Sequence, residues 1–129
     1  MIAVPVSVGE LIDKLSILHV KQTKITNSDK LKYINEEFEL LCNFSSDYLN
    51  DKTISEIYHE LVKTNSELWE IEDKLRLLES NSIFDSTFIE LARNVYFTND
   101  KRFELKNKIN LLTNSEIREQ KHYVDYKKP

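Results

Sequence analysis

The sequence has very few residues that break helices or cross-link a chain. It contains one glycine, two prolines and one cysteine in 129 residues. Both prolines, Pro5 and Pro129, lie at the ends, and a β-rich domain of this length would need more turn-forming glycines. The composition therefore predicts an all-α protein. Cys42 alone cannot form an intrachain disulfide or a zinc site built on several cysteines, which suits a reducing cytoplasm.

Targeting and charge signals are also missing. The opening MIAVPVS has neither the basic region nor the apolar region of a signal peptide. No apolar run approaches the roughly 18 residues that a membrane span needs. The net charge is −4, and acidic and basic residues are interspersed rather than clustered. We therefore expect a cytoplasmic protein that does not span a membrane and does not bind nucleic acid.

What the sequence does contain is apolar residues at helical spacing. Ser7–Glu10 and Thr53–Glu56 have the pattern of capping boxes, which begin helices. The last two apolar segments keep the 4-3 spacing of coiled coils, and only a short polar turn near Ser82 separates them. The patterns predict four helices, over about residues 8–25, 29–48, 54–80 and 85–112.

The short turn between the last two helices predicts that they run antiparallel, side by side. The fold class expected is an all-α antiparallel helical bundle, built on this long two-helix hairpin with two shorter helices packed along it. Residues 1–129 should form a single helical domain, in which about 113–129 are a loosely tethered tail. Thr98-Asn99-Asp100 could end one helix and cap another. The 4-3 register passes through it without a slip, which favours one continuous helix.

Polar residues interrupt the apolar interface of the hairpin. Folding the hairpin about residue 82 places Asn65 opposite the region of Asn99 and Arg102. Glu72 and Lys106 also fall between the apolar stripes of their helices. One interpretation is structural: a polar layer fixes the register and orientation of a bundle at some loss of stability.

The other interpretation of this polar layer is functional. Arg102, with Arg93 or Lys106 nearby, would bind an anionic group between the helices, because arginine recognises carboxylate or phosphate with two parallel hydrogen bonds. The stability of Arg102→Met without ligand separates the two interpretations. A gain would favour a charge retained for function, and a large loss would favour a structural ion pair.

Two other patterns have the spacing of metal ligands. Glu56-x-x-His59 and Glu119-x-x-His122 match the spacing in carboxylate-bridged di-iron bundles. The first lies off the apolar stripe of its helix, and the second lies in the tail. We therefore predict no metal site and no cofactor. No nucleophile-histidine pair or phosphate-binding glycine loop is present, so the sequence assigns no catalytic residue and leaves open whether the protein is an enzyme.

Three segments resemble an uncharacterised family of short bacterial proteins. They are the opening PVSVGELIDKLSIL, the middle segment ELWEIED and the later segment FIELARNVYFTNDKR. The resemblance implies no established activity. It does imply that Arg93, Tyr96, Asn99, Asp100 and Arg102 belong to one motif. The segment 9–15 also resembles the opening helix of helical chorismate mutases, but that likeness ends there because their basic ligands have no counterparts.

The sequence supports two hypotheses about function. The first is a helical interaction or scaffold protein that self-associates as a homodimer, since Ile17 and Val20 form an apolar pair on the back of the first helix. The alternative is a small-molecule module or enzyme that binds an anionic metabolite in the bundle interior. The candidate ligand-binding residues are Asn65, Glu72, Arg93, Tyr96, Asn99 and Arg102.

Overall fold

The computed structural model describes residues 1–127, and within them it contains four α-helices and no strand. The predicted all-helical fold is therefore confirmed, and α4 continues through Asn99 without a break. Lys128 and Pro129, at the end of the predicted tail, lie outside the described residues. The helices are α1 (Val8–Lys24), α2 (Ser28–Leu49), α3 (Lys52–Ser80) and α4 (Ser86–Leu112).

Short polar side chains begin each helix. The Ser7 hydroxyl accepts a hydrogen bond from the Glu10 amide at 3.0 Å, as the first capping box predicted. The second predicted capping box, Thr53–Glu56, is wrong. Asp51 caps α3 instead, with its carboxylate accepting from the Ile54 amide at 3.0 Å. Because an aspartate is as good a cap as a threonine and stands two residues earlier, the helix begins at Lys52.

Helix α1 packs against all three other helices, as α3 also does. On one side Ile12 and Leu15 join the apolar core with Leu61 and Ile109. Its other side is also buried, along a stripe of mostly small residues at 4-3-4 spacing. That stripe consists of Gly9, Asp13, Ser16 and Val20.

The structure removes one argument for self-association. Ile17 and Val20 do not form a free apolar surface, because both line a cleft that they share with Leu68 and Trp69 of α3. Val20 is buried within the chain. The second surface that α1 was expected to contact is therefore its own α3–α4 pair.

The core is confined to one end of the α3–α4 pair. Buried residues of α3 end at Leu68, and those of α4 begin at Leu105. Between residues 69 and 104, a segment called here the tip, no residue is buried. Side-chain hydrogen bonds within 73–98 are all local, so neither α1 nor α2 is bonded to the tip there. In this part of the tip, Tyr96 and Phe97 of α4 also contact Tyr126, near the C-terminus.

Gly9 allows α1 to approach α4 closely. A β-carbon at this position would lie 2.4 Å from the Lys106 carbonyl oxygen and 2.9 Å from the Asn110 side-chain oxygen. The Gly9 amide donates to that same Asn110 oxygen at 2.7 Å. The only glycine in the sequence is therefore required by contact between two helices rather than by a turn.

We expect Gly9→Ala to lower the free energy of unfolding by about 2 kcal/mol, because overpacking of a close contact costs about 1–3 kcal/mol. Helix propensity alone would act in the opposite direction, by about 1 kcal/mol. Urea denaturation measures the difference, and Lys14→Ala on the exposed face of α1 is the control. An unchanged or higher stability of Gly9→Ala would contradict the close approach.

Candidate functional site

Asp13 is a fully buried carboxylate at the contact of α1 with α3 and α4. Its side chain is 0% exposed. Arg102 of α4 donates to both carboxylate oxygens, from Nε to Oδ1 at 2.9 Å and from Nη2 to Oδ2 at 2.6 Å. Asn65 of α3 donates from Nδ2 to Oδ1 at 3.1 Å. This bidentate pair with its added amide is the geometry that compensates the cost of burying a carboxylate.

Neighbouring groups fix these side chains in place. Asn65 Nδ2 also lies 2.8 Å from the Ser16 hydroxyl oxygen, to which it donates. The Ser16 hydroxyl in turn donates to the Asp13 carbonyl at 2.6 Å. The hydrogen bonds from Arg102 to Asp13 raise the pKa of the guanidinium above its ordinary value and outweigh the effect of burial. Arg102 is therefore a permanently charged, rigidly held group.

Lys106 extends the layer one turn further along α4. Its side chain is only 8% exposed, and its ammonium lies 2.7 Å from both Glu10 and Glu119 and 3.9 Å from Asp13. Burial alone would lower the pKa of Lys106, but hydrogen bonds to Glu10 and Glu119 outweigh it and the pKa is raised. The ion-pair layer therefore consists of two cations and three carboxylates: Arg102 and Lys106, with Asp13, Glu10 and Glu119.

The predicted polar layer is present, but its centre differs from the prediction. Asn65 and Arg102 meet through Asp13 of α1 rather than directly across the hairpin. Asn99 and the exposed Glu72 line the same cleft as these two side chains. Glu72 and Arg76 stand four residues apart on α3 but are not among the ion pairs of the described residues.

Arg93 and Tyr96 lie outside this layer, although they belong to the same sequence segment. The Arg93 guanidinium lies over the Phe97 ring, 5.5 Å from its centroid. The Tyr96 ring packs on Tyr126 of the tail with centroids 5.1 Å apart. The candidate residues therefore divide between a cleft, lined by Asn65, Glu72, Asn99 and Arg102, and a separate aromatic cluster.

Asp13 was missed by the sequence reasoning, which followed the strongest apolar stripe of α1. A signal was available in the spacing of Gly9, Asp13, Ser16 and Val20, which places them on one helix face. Three small or polar residues beside a valine do not form the apolar pattern that predicts a buried helix face. They do predict a face that packs closely and contains one charge in need of a partner.

The tail lies against α1 and α4 through polar contacts. Ser115 accepts from the Val8 amide at 3.2 Å, and Glu119 contacts Lys106. Asp100 accepts hydrogen bonds from the hydroxyls of Tyr123, at 2.6 Å, and Tyr126. These two bonds lower the pKa of the Asp100 carboxyl. That the tail is only loosely held stays a prediction.

The structure offers no support for the metal-ligand spacings. Residues 1–127 contain no group of three or more side chains that could hold a metal ion together. His59 packs beside Tyr58, with ring centroids 5.5 Å apart. Over the same part of the chain, no helix is long and apolar enough to cross a membrane.

Comparison with known proteins gives a family but no activity. A model described as a family of unknown function (DUF6165) matches residues 2–127. The chain belongs to this family. No curated protein and no solved structure matches the chain. The resemblance to an uncharacterised family is thereby confirmed. The family assigns no activity to the chain.

We expect Arg102→Met to lower the free energy of unfolding by about 3 kcal/mol. Removing one partner of a buried ion pair costs about 3–5 kcal/mol. We expect the low end of this range, because Asp13 would keep Asn65 and Lys106 as neighbours. The double variant Asp13→Asn/Arg102→Met should lose less free energy of unfolding than the two single variants lose together, because the two side chains interact directly. Urea denaturation measures all three, with the exposed Arg76→Met as control. A more stable Arg102→Met would instead mark the arginine as retained for function.

Acid should release the tail from α4. The pKa of Asp100 in the folded protein is below its ordinary value of 3.8. The stabilisation that the ionised carboxylate gives to the tail is therefore fully present above pH 3.8, and it is lost as the pH falls through the lowered pKa. Protonation removes the acceptor for the Tyr123 and Tyr126 hydroxyls. Backbone ¹⁵N relaxation of residues 120–127 should show increased mobility below that pKa, and in Asp100→Asn at neutral pH. Asp73→Asn is the control, and a tail equally rigid in Asp100→Asn would contradict the assignment.

Proposed function

We propose that the protein is a helical interaction module that self-associates through the tip. The observation that carries the proposal is the absence of any buried residue in 69–104, although the apolar register continues through this segment. In a bundle, positions at this spacing are the ones that a neighbouring helix covers. The residues concerned are Ile71, Leu75, Leu78, Phe88, Leu91 and Val95.

An apolar groove runs along the tip. Leu75 of α3 and Phe88, Ala92 and Val95 of α4 line a depression of about 340 Å³, which the charged residues Arg76 and Glu79 of α3 border. Ile89, in the same segment, is 57% exposed. Exposed apolar surface with a polar rim is typical of binding sites for proteins. The groove is therefore the surface that we expect a partner to cover.

A second copy of the chain is the partner that we propose. If α3 and α4 form the antiparallel hairpin that their short connection predicts, two tips stacked face to face would complete a four-helix bundle. A two-fold arrangement uses the same patch on both copies, so no second type of surface is needed. The tip parts of α3 and α4 are about 18 and 28 Å long at 1.5 Å per residue. That length offers several helical turns for contact.

The alternative, a module for anionic metabolites, ranks second. Arg102 and Lys106, the two cations of the ion-pair layer, already have carboxylate partners. A simple anion would therefore gain little net attraction from them, because Asp13, Glu10 and Glu119 already neutralise their charge. We therefore propose no reaction and no catalytic residue. The single free cysteine, Cys42, remains the reason to place the protein in the cytoplasm.

Light scattering after size exclusion tests the self-association. We expect a dimer at micromolar concentration and a shift to monomer in Ile89→Glu, because a buried charge without a partner opposes association. Leu112→Glu is the matched control, since Leu112 is 56% exposed and lies at the far end of the same helix. Circular dichroism verifies that both variants stay helical.

Two outcomes would contradict the proposal. One is a wild-type protein that stays monomeric at every concentration tested. The other is a dimer that Leu112→Glu disrupts and Ile89→Glu leaves intact, which would place the interface away from the tip.

A further inference from the structure

A cleft at the base of the tip, between α1, α3 and α4, has the form of a small-molecule site. Its volume is about 260 Å³, just below the roughly 300–1,000 Å³ typical of pockets for drug-sized ligands. It does not share residues with the groove proposed for self-association. Its apolar lining is Ile17, Val20, Leu68 and Trp69, and its polar lining is Asn65, Glu72, Asn99 and Arg102.

Arg102 lines this cleft and a neighbouring one bordered by Glu10 and Lys106, and one nitrogen of its guanidinium is unpaired among the described residues. Its Nε and Nη2 donate to Asp13, whereas Nη1 has no hydrogen-bond partner within residues 1–127. A quarter of the side chain remains exposed, at 25%. Because Asp13 and its neighbours fix the guanidinium, little conformational entropy would be lost when a ligand accepts a hydrogen bond from Nη1. Asn99, beside it, makes no side-chain hydrogen bond in the described part of the chain either.

The charge balance of the cleft is informative about the ligand. Asp13 neutralises Arg102, so the guanidinium edge offers directed donors without a net positive charge. Glu72 has no ion-pair partner among residues 1–127, and it contributes the uncompensated negative charge of the lining. A simple anion would be repelled by Glu72, and a simple cation would leave the Arg102 donors unmatched.

We propose that this cleft binds a small zwitterion, an α-amino acid with an apolar side chain. Its carboxylate accepts hydrogen bonds from Arg102 Nη1 and from the Asn99 amide. Its ammonium pairs with Glu72, and its side chain packs on Leu68 and Trp69. The proposal is independent of self-association, because the cleft is formed entirely within one chain.

The chain contains a single tryptophan, and it lines the cleft, so intrinsic fluorescence reports occupancy directly. We expect L-leucine to change the emission of Trp69 saturably. Two truncated probes separate the ligand's charges: 4-methylpentanoate lacks the ammonium, and 3-methylbutylamine lacks the carboxylate. Each should bind at least roughly tenfold more weakly than leucine, which is about 1.4 kcal/mol. L-Valine, L-methionine and L-phenylalanine extend the series in size.

A matched pair of variants tests the role of Glu72. Glu72→Gln should weaken leucine roughly tenfold and leave 4-methylpentanoate unchanged or better bound. Glu67→Gln, an exposed glutamate of α3 outside the cleft, should bind as the wild type does. Repeating the titration in Ile89→Glu separates this site from self-association, because binding should persist whether or not the chain dimerises.

Two results would overturn the proposal. One is the absence of a saturable change with any of the four amino acids. The other is equal binding of leucine and 4-methylpentanoate with no effect of Glu72→Gln, which would make the cleft a carboxylate site and the ammonium irrelevant.

Discussion

The bidentate contact between Asp13 and Arg102 is the constraint on which the rest of the structure depends. A fully buried carboxylate needs partners that neutralise it and satisfy its lone pairs. Here they come from α3 and α4, so α1 is held against both helices in one register. The only glycine of the chain, Gly9, stands one turn before Asp13 and lets α1 come close enough to α4 for that contact.

This arrangement divides the α3–α4 pair into two regions with different surfaces. Around the ion-pair layer, α1 covers the pair and the apolar residues Leu61 and Ile109 are fully buried. Between residues 73 and 98 the same apolar register continues, but no side-chain hydrogen bond joins this segment to α1 or α2 and none of its residues is buried. Stability and association are therefore separable here, because substitutions between residues 73 and 98, such as Ile89→Glu, leave the buried core and the ion-pair layer unchanged.

The sequence predicted the helices well and their packing less well. Caps and 4-3 spacing are local, so four helices could be placed to within two residues at each end. How the helices pack depends on contacts between distant segments. Arg102 and Asn65 were identified because they interrupt apolar stripes, whereas Asp13 lay on a face of small residues and its partner is 89 residues away. Its pairing could not be read from local spacing.

Buried ion pairs are seldom the most stable solution, since an apolar replacement of similar volume is often as good. A buried pair such as this one is therefore expected to specify a structural feature rather than only to add stability. In this fold it fixes the position of α1, and it also immobilises Arg102, which lines a cleft that Glu72 borders. One interaction thereby serves the register of the bundle and the shape of the candidate site. The structural and functional interpretations of the polar layer are then compatible, because a guanidinium held rigidly by one carboxylate is better prepared to bind another.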